Sequence, residues 1–223
     1  MESWANRAVS FTSALERHTD RVTVNSCESD APLKLRDLVP FMRASRQTYP
    51  EQIVEFLTAA SSSCRCDFLA RGKYTLSDEQ ARVFPAGQDL PDWYFHGIAT
   101  LCNLEYFAEW MDAYTLVPEE YQDDWHDSFI FMNAQQFDFL ALDLSSNDND
   151  PPVILLSHEV FAKAQIAPNF STFLERWEMV HYLNPINFFE FGFIDDATDE
   201  FDPQPDAIGR LHQSFPFLDA ESK

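Results

Sequence analysis

The sequence predicts an α+β fold in which helices flank an antiparallel sheet. Its 223 residues, 45% of them hydrophobic, are enough to bury one sizeable core. Stretches in which apolar residues recur at helical spacing lie on both sides of a block of consecutive strand-like runs. Because helices flank this block rather than alternate with its strands, neighbouring strands are expected to pair antiparallel.

The spacing of apolar residues predicts that the first half of the chain is mainly helical. Apolar residues recur at helical spacing in four stretches, residues 3–18, 35–45, 49–62 and 98–116. The second stretch is expected to be interrupted at Pro40, whereas Pro50 takes a favoured first-turn position in the third. Residues 68–76 are expected to begin the sheet.

The second half supplies the strand block and a closing helix. In "SFIFMNAQQFDFLALDL", residues 128–144, two strand-like runs are parted by a polar Asn-Ala-Gln-Gln turn. The second run has apolar residues on both faces, which indicates a central strand. "PPVILLSHE", residues 151–159, then forms its antiparallel return. Residues 167–183 form a helix that begins at Asn169 or is capped by Ser171.

The net charge of −22 at pH 7 is unevenly distributed along the chain. Residues 1–82 carry eleven basic and eleven acidic side chains, whereas residues 83–162 carry fifteen acidic side chains and no Lys or Arg. The negative electrostatic field of this acidic stretch repels nucleic acid and anionic lipid, and it speeds the encounter with basic partners. The alternative is that the acidity serves solubility alone.

Targeting and membrane segments are not evident in the sequence. The N-terminus lacks a basic stretch followed by an apolar one, and no run of eighteen apolar residues occurs. The four cysteines fit the reduced thiols of a cytoplasmic protein. We therefore expect a cytoplasmic protein that binds neither membrane nor nucleic acid.

Catalytic, metal and cofactor sites are not indicated either. Ser157, His158 and Glu159 have the residue types of a triad, but consecutive strand residues point to opposite faces and cannot assemble a relay. Cys64 and Cys66 are separated by one residue rather than the two that are usual in zinc knuckles. Buried or redox-idle thiols are expected instead, and the chain is expected not to be an enzyme.

Two segments combine carboxylates with aromatic side chains and are candidate protein-binding sites. The first, "PEEYQDDWHD", residues 118–127, is expected to be a loop. Its candidate partner-binding residues are Glu119, Glu120, Tyr121, Asp123, Asp124, Trp125 and Asp127. Carboxylates around an aromatic anchor such as Trp125 are typical of a hot spot inside a charged rim. The alternative is a solvated connector with Trp125 tucked into the core; the regular ligand spacing of a divalent-ion loop is absent.

The second segment, "FFEFGFIDDATDEFD", residues 188–202, alternates aromatics with acids. It could be a partner-binding arm in which Asp195 and Asp196 begin a run of five acidic residues among eight. The favoured interpretation is an extension whose Phe188, Phe189, Phe191 and Phe193 cover the sheet while its acids face water.

The strand block and the closing helix resemble the SUKH superfamily. The resemblance is carried by "FLALDLSSNDNDPPVILLSHE" followed by "IAPNFSTFLERW", where Leu142 and Asp143 form the strand-end pair and Phe170 and Phe173 lead the helix. Pro50, Glu51, Phe56 and Leu57 match the Pro-led helix start with its "FL" pair. The resemblance covers roughly residues 45–180. Asp143 is expected to end its strand or cap its turn rather than to act in catalysis.

The resemblance implies a curved antiparallel sheet of about five to six strands that binds other proteins and has no catalytic signature. Many bacterial members of the superfamily are immunity proteins that neutralise a co-encoded toxin, and fungal members act as interaction hubs in cell-wall regulation. We therefore predict an immunity-type protein that blocks a basic, nuclease- or deaminase-like toxin domain by steric and electrostatic occlusion. The alternative is a non-catalytic regulatory module that binds a peptide or a scaffold.

The chain is expected to divide into three parts. Residues 1–45 form an N-terminal helical extension, residues 46–182 form the SUKH-like core, and residues 183–223 form an acidic aromatic extension packed on that core. The sequence leaves the oligomeric state open.

Overall fold

The structure, a computed structural model, describes most of the chain. The described residues are 2–45, 48–73, 92–96, 115, 117–135, 138–145, 149–157, 163–195, 198 and 200–221. Apart from Thr115, the helix predicted over residues 98–116 lies outside them. Of the described helices, none combines the length and the apolar character that a membrane crossing requires.

Seven strands form two antiparallel sheets in the described part of the chain. The strands are β1 (Val22–Ser29), β2 (Cys64–Lys73), β3 (Asp92–His96), β4 (Ser128–Gln135), β5 (Asp138–Asp143), β6 (Val153–Leu156) and β7 (Lys163–Ala167). The first three form one sheet in the order β1-β2-β3, and the other four form a second in the order β4-β5-β6-β7. The α+β class is therefore confirmed, and the described strands form one antiparallel group of three and another of four.

Helices and short helical turns connect and flank these strands. The helices are α1 (Glu2–Leu15), α2 (Leu35–Ser45), α3 (Glu51–Glu55), α4 (Gln122–His126), α5 (Phe170–Met179), α6 (Phe188–Phe191), α7 (Pro205–Ser214) and α8 (Pro216–Glu221). Helix α2 continues through Pro40, so the interruption predicted there is wrong. Proline removes one backbone hydrogen-bond donor from a helix, and Pro40 lies on the exposed side of α2.

The helix predicted over residues 49–62 is present and ends in an unusual way. Helix α3 passes into a π-helical turn over Phe56–Ala60, which closes with a hydrogen bond of 3.0 Å from Ser61 N to Phe56 O. The buried Ser61 hydroxyl accepts a hydrogen bond from Ser29 Oγ and lies 2.9 Å from the carbonyl oxygen of Asp30. Ser61 thus fastens the end of this helix to the end of β1.

Strand β5 is an inner strand of the four-stranded sheet. Its residues from Phe139 to Leu142 are all buried, which confirms the prediction of a central strand. In the register, Leu142 lies opposite Phe129 of β4 and Val153 of β6. The antiparallel return predicted from "PPVILLSHE" is therefore confirmed.

Strand β4 is longer than the sequence suggests. The predicted Asn-Ala-Gln-Gln turn is wrong because Asn133, Ala134 and Gln135 belong to β4. Ala134 is buried, and the side-chain amide of Asn184 donates a hydrogen bond to its carbonyl oxygen. Buried backbone groups need such partners, so this contact stabilises the polar end of the strand.

Helix α5 packs its aromatic face on the four-stranded sheet. Asn169 is its N-cap, because its side chain accepts a hydrogen bond of 2.8 Å from Thr172 N, and the alternative cap at Ser171 is wrong. Phe170, Phe173 and Trp177 are fully buried on this helix. Packing of these large rings over β4–β7 forms the centre of the core.

The residues beyond α5 are part of the same hydrophobic cluster. Phe188 stacks on Phe201 with ring centroids 3.9 Å apart, and Phe191 and Phe193 are also buried. This packing favours the interpretation in which the aromatics of the second segment cover the core. The side chain of Phe189 lies outside the described residues.

Candidate protein-binding surface

Residues 118–127 form two short helical turns, so the loop predicted for them is wrong. Pro118 precedes a 3-10 turn over Glu119–Tyr121, and helix α4 follows directly. Proline is favourable at a helix start because its φ is fixed and no backbone donor is needed there. Carboxylates are favourable in the first turn because the N-terminal end of a helix carries partial positive charge. These signals are present in the sequence, but the segment is too short to show helical periodicity.

We call the exposed carboxylates of this segment, together with the ring of Tyr121, the acidic turn. Its carboxylates are those of Glu119, Glu120, Asp123 and Asp127, all exposed to solvent. The Tyr121 side chain is 37% exposed. Asp124 lies in α4, and its side chain is outside the described residues. The acidic turn therefore exposes four carboxylates and one aromatic ring within nine consecutive residues, 119–127.

Trp125 is buried and is not part of this surface, contrary to the prediction from the sequence. It is only 2% exposed, and its ring meets Phe139 of β5 edge-on with centroids 6.0 Å apart. The role of exposed anchor is therefore wrong for Trp125, because its large apolar ring gains more from burial against the sheet. Its indole Nε1 finds no hydrogen-bond partner within the described part of the chain.

The acidic turn is fastened to the edge of the four-stranded sheet. Asp127 N donates to Asp123 O at 3.1 Å, and Leu144 N donates to Asp127 O at 2.8 Å. At the other end, the Gln122 side chain donates to the carbonyl oxygen of Val117 at 3.1 Å. With the buried ring of Trp125 below, these bonds hold the carboxylates on a fixed backbone.

Asp143 lies at the end of β5 and stabilises the turn that follows. Its carboxylate accepts hydrogen bonds from Ser145 N at 3.0 Å and Ser145 Oγ at 2.6 Å, and it pairs with Lys163 Nζ at 3.0 Å. Burial alone would raise the pKa of Asp143, but the bonds from Ser145 and Lys163 outweigh it and hold this pKa below its usual value. The predicted strand-end role is therefore confirmed.

Acidic residues of the second segment, residues 188–202, form hydrogen bonds and ion pairs with other residues of the chain. The Asp195 carboxylate accepts a hydrogen bond of 3.0 Å from Thr198 N, and Asp195 N donates to Glu200 O at 2.8 Å. Arg176 of α5 lies 3.7 Å from carboxylate oxygens of both Glu200 and Asp202. Asp196 lies outside the described residues. The structure thus does not bring Asp195 together with the acidic turn in any described contact.

The thiols of the first sheet lie close together beneath α1. Cys64 and Cys66 are buried with their sulfurs 3.9 Å apart, and Cys27 lies directly opposite Cys66 in the strand register. Hydrogen bonding to Cys66 and burial raise the pKa of Cys27 above its usual value. The Cys27 thiol therefore stays protonated near neutral pH.

Metal-ligating groups do not converge in the described part of the chain. No set of three or more His, Cys, Asp or Glu side chains among those residues could hold a metal ion. Of the residues with triad-type chemistry, Ser157 is described, whereas His158 and Glu159 are not. The acidic turn is consequently the feature that we take as the candidate functional site.

Comparison with known proteins identifies the family. The family model described as the SMI1 / KNR4 family (SUKH-1) matches residues 35–176, from the start of α2 to the last turns of α5. The chain belongs to this family, which confirms the SUKH resemblance. The family includes immunity proteins and cell-wall regulators, whose members in general bind protein partners and are non-catalytic. No curated protein and no solved structure matches the chain.

Proposed function

We propose that this protein is an immunity-type binding protein that neutralises a basic toxin domain in the cytoplasm. The observation that carries the proposal is the acidic turn, where four exposed carboxylates lie within six residues of Tyr121 in the chain, on a backbone fixed to the sheet edge. It lies within residues 83–162, the stretch without Lys or Arg. Membership of a family that includes immunity proteins supports the same function.

The mechanism is occlusion rather than chemistry. A nuclease- or deaminase-like toxin needs a basic cleft for phosphates, and the carboxylates of the acidic turn can occupy the positions that phosphates would take. Electrostatic attraction then accelerates association and makes it sensitive to salt. Because hydrogen bonds and the buried Trp125 already order the turn, little conformational entropy is lost on binding.

Within the proposed interface the residues differ in role. The exposed ring of Tyr121 supplies the central apolar contact, and Glu119, Glu120, Asp123 and Asp127 supply the charged rim. Asp195 contributes to the long-range field and not to direct contact, because its carboxylate already holds a turn.

Co-expression tests this function. We would express the C-terminal domain of a large secreted protein encoded beside this chain, alone and together with it, and measure growth of the host. The proposal predicts growth arrest by the domain alone and rescue by the wild-type chain. A variant with Asp123→Lys and Asp127→Lys should rescue poorly.

The matched control carries Glu16→Lys and Glu175→Lys, which change the net charge equally at exposed sites away from the acidic turn. This control should rescue as well as the wild type. Equal rescue by both double variants would place the binding face elsewhere, and no rescue by the wild-type chain would favour the regulatory function.

A further inference from the structure

Three free thiols lie side by side across the first two strands, on the face that α1 covers. Cys27 of β1 is directly opposite Cys66 of β2, and Cys64 is two residues before Cys66 on the same strand. Directly opposite residues share one face of a sheet, as do residues two apart on a strand. The Cys27 sulfur donates a hydrogen bond of 3.1 Å to the carbonyl oxygen of Val9 and lies 3.2 Å from Ser13 Oγ. All three thiols therefore point towards α1.

Of the possible pairs, Cys27 and Cys66 have the geometry that suits a disulfide. Their two thiols are hydrogen-bonded to each other. Opposite residues of an antiparallel pair have Cα atoms about 4.5–5.5 Å apart, within the range of about 4.4–6.8 Å that disulfides span. A bond between these two residues can therefore form without a shift of the strand register.

Cys64 and Cys66 are less well placed for a bond, although their sulfurs are 3.9 Å apart. Residues two apart on one strand have Cα atoms about 6.6 Å apart, and their parallel side chains keep the Cβ atoms nearly as far apart. A disulfide requires Cβ atoms about 3.8 Å apart. Closing this second pair would therefore distort β2.

The two members of the cross-strand pair differ in access. Cys66 is fully buried, whereas Cys27 is half-buried, so a small oxidant in solution reaches the Cys27 sulfur first. The hydrogen bond from Cys27 alone would lower the pKa of Cys66, but hydrogen bonding with Cys64 and burial outweigh it and raise this pKa. Because the pKa of Cys27 is also raised and the thiolate is the reactive form, oxidation is slow at neutral pH.

The pair also connects two parts of the chain that differ in origin. The match to the family model begins at residue 35, so α1 and β1 precede it, whereas β2 lies within it. A bond from Cys27 to Cys66 would join the N-terminal segment covalently to the family core. It would close a loop of about forty residues, which restricts the unfolded chain and stabilises the folded one.

We propose that Cys27 and Cys66 are a site of reversible oxidation, at which a hydroperoxide links β1 to β2 through a disulfide. With hydrogen peroxide, the Cys27 sulfur attacks one oxygen, the O–O bond breaks, and the other oxygen leaves as water with the thiol proton. The Cys66 sulfur then attacks the sulfenic acid on Cys27, and the S–O bond breaks. The second oxygen leaves as water with the proton of Cys66, so two electrons pass from the two thiols to one peroxide.

The oxidised form would hold α1 and β1 on the core by a covalent bond in addition to packing. Reduction by a dithiol restores both thiols through exchange at the disulfide. The site uses none of the residues of the acidic turn. It therefore stands or falls independently of the proposed binding of a toxin.

Peptide mapping of the full chain after treatment with hydrogen peroxide tests the site. Trypsin cleaves after Arg65, between the two cysteines of β2, and so places each of the three thiols in its own peptide. Cys27, Cys64 and Cys66 lie in peptides 22–34, 47–65 and 66–71, respectively. After alkylation of the remaining thiols, we expect peptide 22–34 linked to peptide 66–71. The linked product should lack two hydrogen atoms and should separate again on reduction with dithiothreitol.

Two variants serve as matched controls for the mapping. Cys64→Ala should form the same linked product, because its thiol is not a member of the pair. Cys27→Ala, a change at the half-buried position, should form no such product while peptide 66–71 stays unlinked. A wild-type chain in which Cys27 remains free for alkylation would overturn the proposal, as would a main product that links peptides 47–65 and 66–71.

Urea unfolding supplies a second readout that does not depend on peptide detection. Closure of the loop should raise the urea midpoint of the oxidised wild type by about 1–2 M relative to the reduced wild type. Cys27→Ala, treated with peroxide in the same way, should keep its midpoint. Equal midpoints for the oxidised and the reduced wild type would contradict an unstrained bond between these strands.

Discussion

The two sheets of this protein are built on different principles. In the four-stranded sheet, the central strand β5 is buried from Phe139 to Asp143, and the large rings of α5 cover it. In the three-stranded sheet, β1 alternates between exposed and covered positions, and charged residues face each other across β1 and β2. In a sheet with one solvated face, the residues on that face can vary without loss of packing. In a sheet covered on both faces, packing restricts nearly every residue to apolar side chains.

The charges on the two regions follow this difference. The four-stranded sheet carries the acidic turn at the start of β4, within the stretch that contains no Lys or Arg. Strands β1 and β2 of the three-stranded sheet lie in the charge-balanced part of the chain, residues 1–82, whereas β3 lies beyond it. Residues that form the buried core and residues that face solvent thus lie largely in different sheets. Substitutions in the core should therefore lower the free energy of unfolding more than substitutions at solvent-facing positions.

The largest effect is expected in the buried strand. Leu142→Ala removes a fully buried side chain between β4 and β6 and should lower the free energy of unfolding by about 2–5 kcal/mol. Urea denaturation followed by circular dichroism measures this change. Leu155→Ala in β6, which removes a half-buried leucine, should cost clearly less. Similar losses in the two variants would mean that β5 is not the centre of the core.

A smaller effect is expected where α7 meets the three-stranded sheet. Gly72→Ala places a Cβ atom against the backbone of Ser214 and should cost about 1–3 kcal/mol while loosening the C-terminal helices. Limited proteolysis should then cut within residues 205–221 earlier than in the wild type. Gly209→Ala is the control, because its Cβ meets nothing within 4 Å and should stabilise α7 by about 0.5–1 kcal/mol. Unchanged proteolysis of Gly72→Ala would contradict the close packing.

The smallest effect belongs to the ion pair at the end of β5. Asp143→Asn should cost about 1 kcal/mol at neutral pH, because the carboxylate pairs with Lys163 and accepts two bonds from Ser145. The pKa of Asp143 is lower in the folded than in the unfolded chain, so its stabilisation is present above the unfolded value of about 3.9. The difference between wild type and variant should shrink as the pH falls below that value. A difference independent of pH down to acid unfolding would exclude this role.

The buried sheet could be predicted from the sequence, and the solvated one could not. Strands β5 and β6 are continuous apolar runs, which local pattern identifies well. Strand β1 reads "VTVNSCES", with few large apolar residues, and it becomes a strand through pairing with β2, about forty residues further on. The 1–45 segment, expected to be helical, therefore contributes a strand. Tertiary pairing overrides weak local preference in this case.

The candidate site, too, could be predicted from the sequence only in part. Its carboxylates could be predicted, because a long stretch without basic residues is visible in the sequence itself. The burial of Trp125 could not, because it depends on the contact with Phe139, which only the fold brings close. Of the aromatics in that segment, Tyr121 is the one with an accessible ring.

Quantitative capture from the native host tests the central claim most directly. The baits are the wild-type chain, Asp123→Lys with Asp127→Lys, and the control Glu16→Lys with Glu175→Lys, each at low and at high salt. We predict that the wild type and the control retain the same basic polypeptide in near-stoichiometric amount, with less captured at high salt, and that the acidic-turn variant loses it. Equal recovery by all three baits, or recovery independent of salt, would contradict binding through the acidic turn.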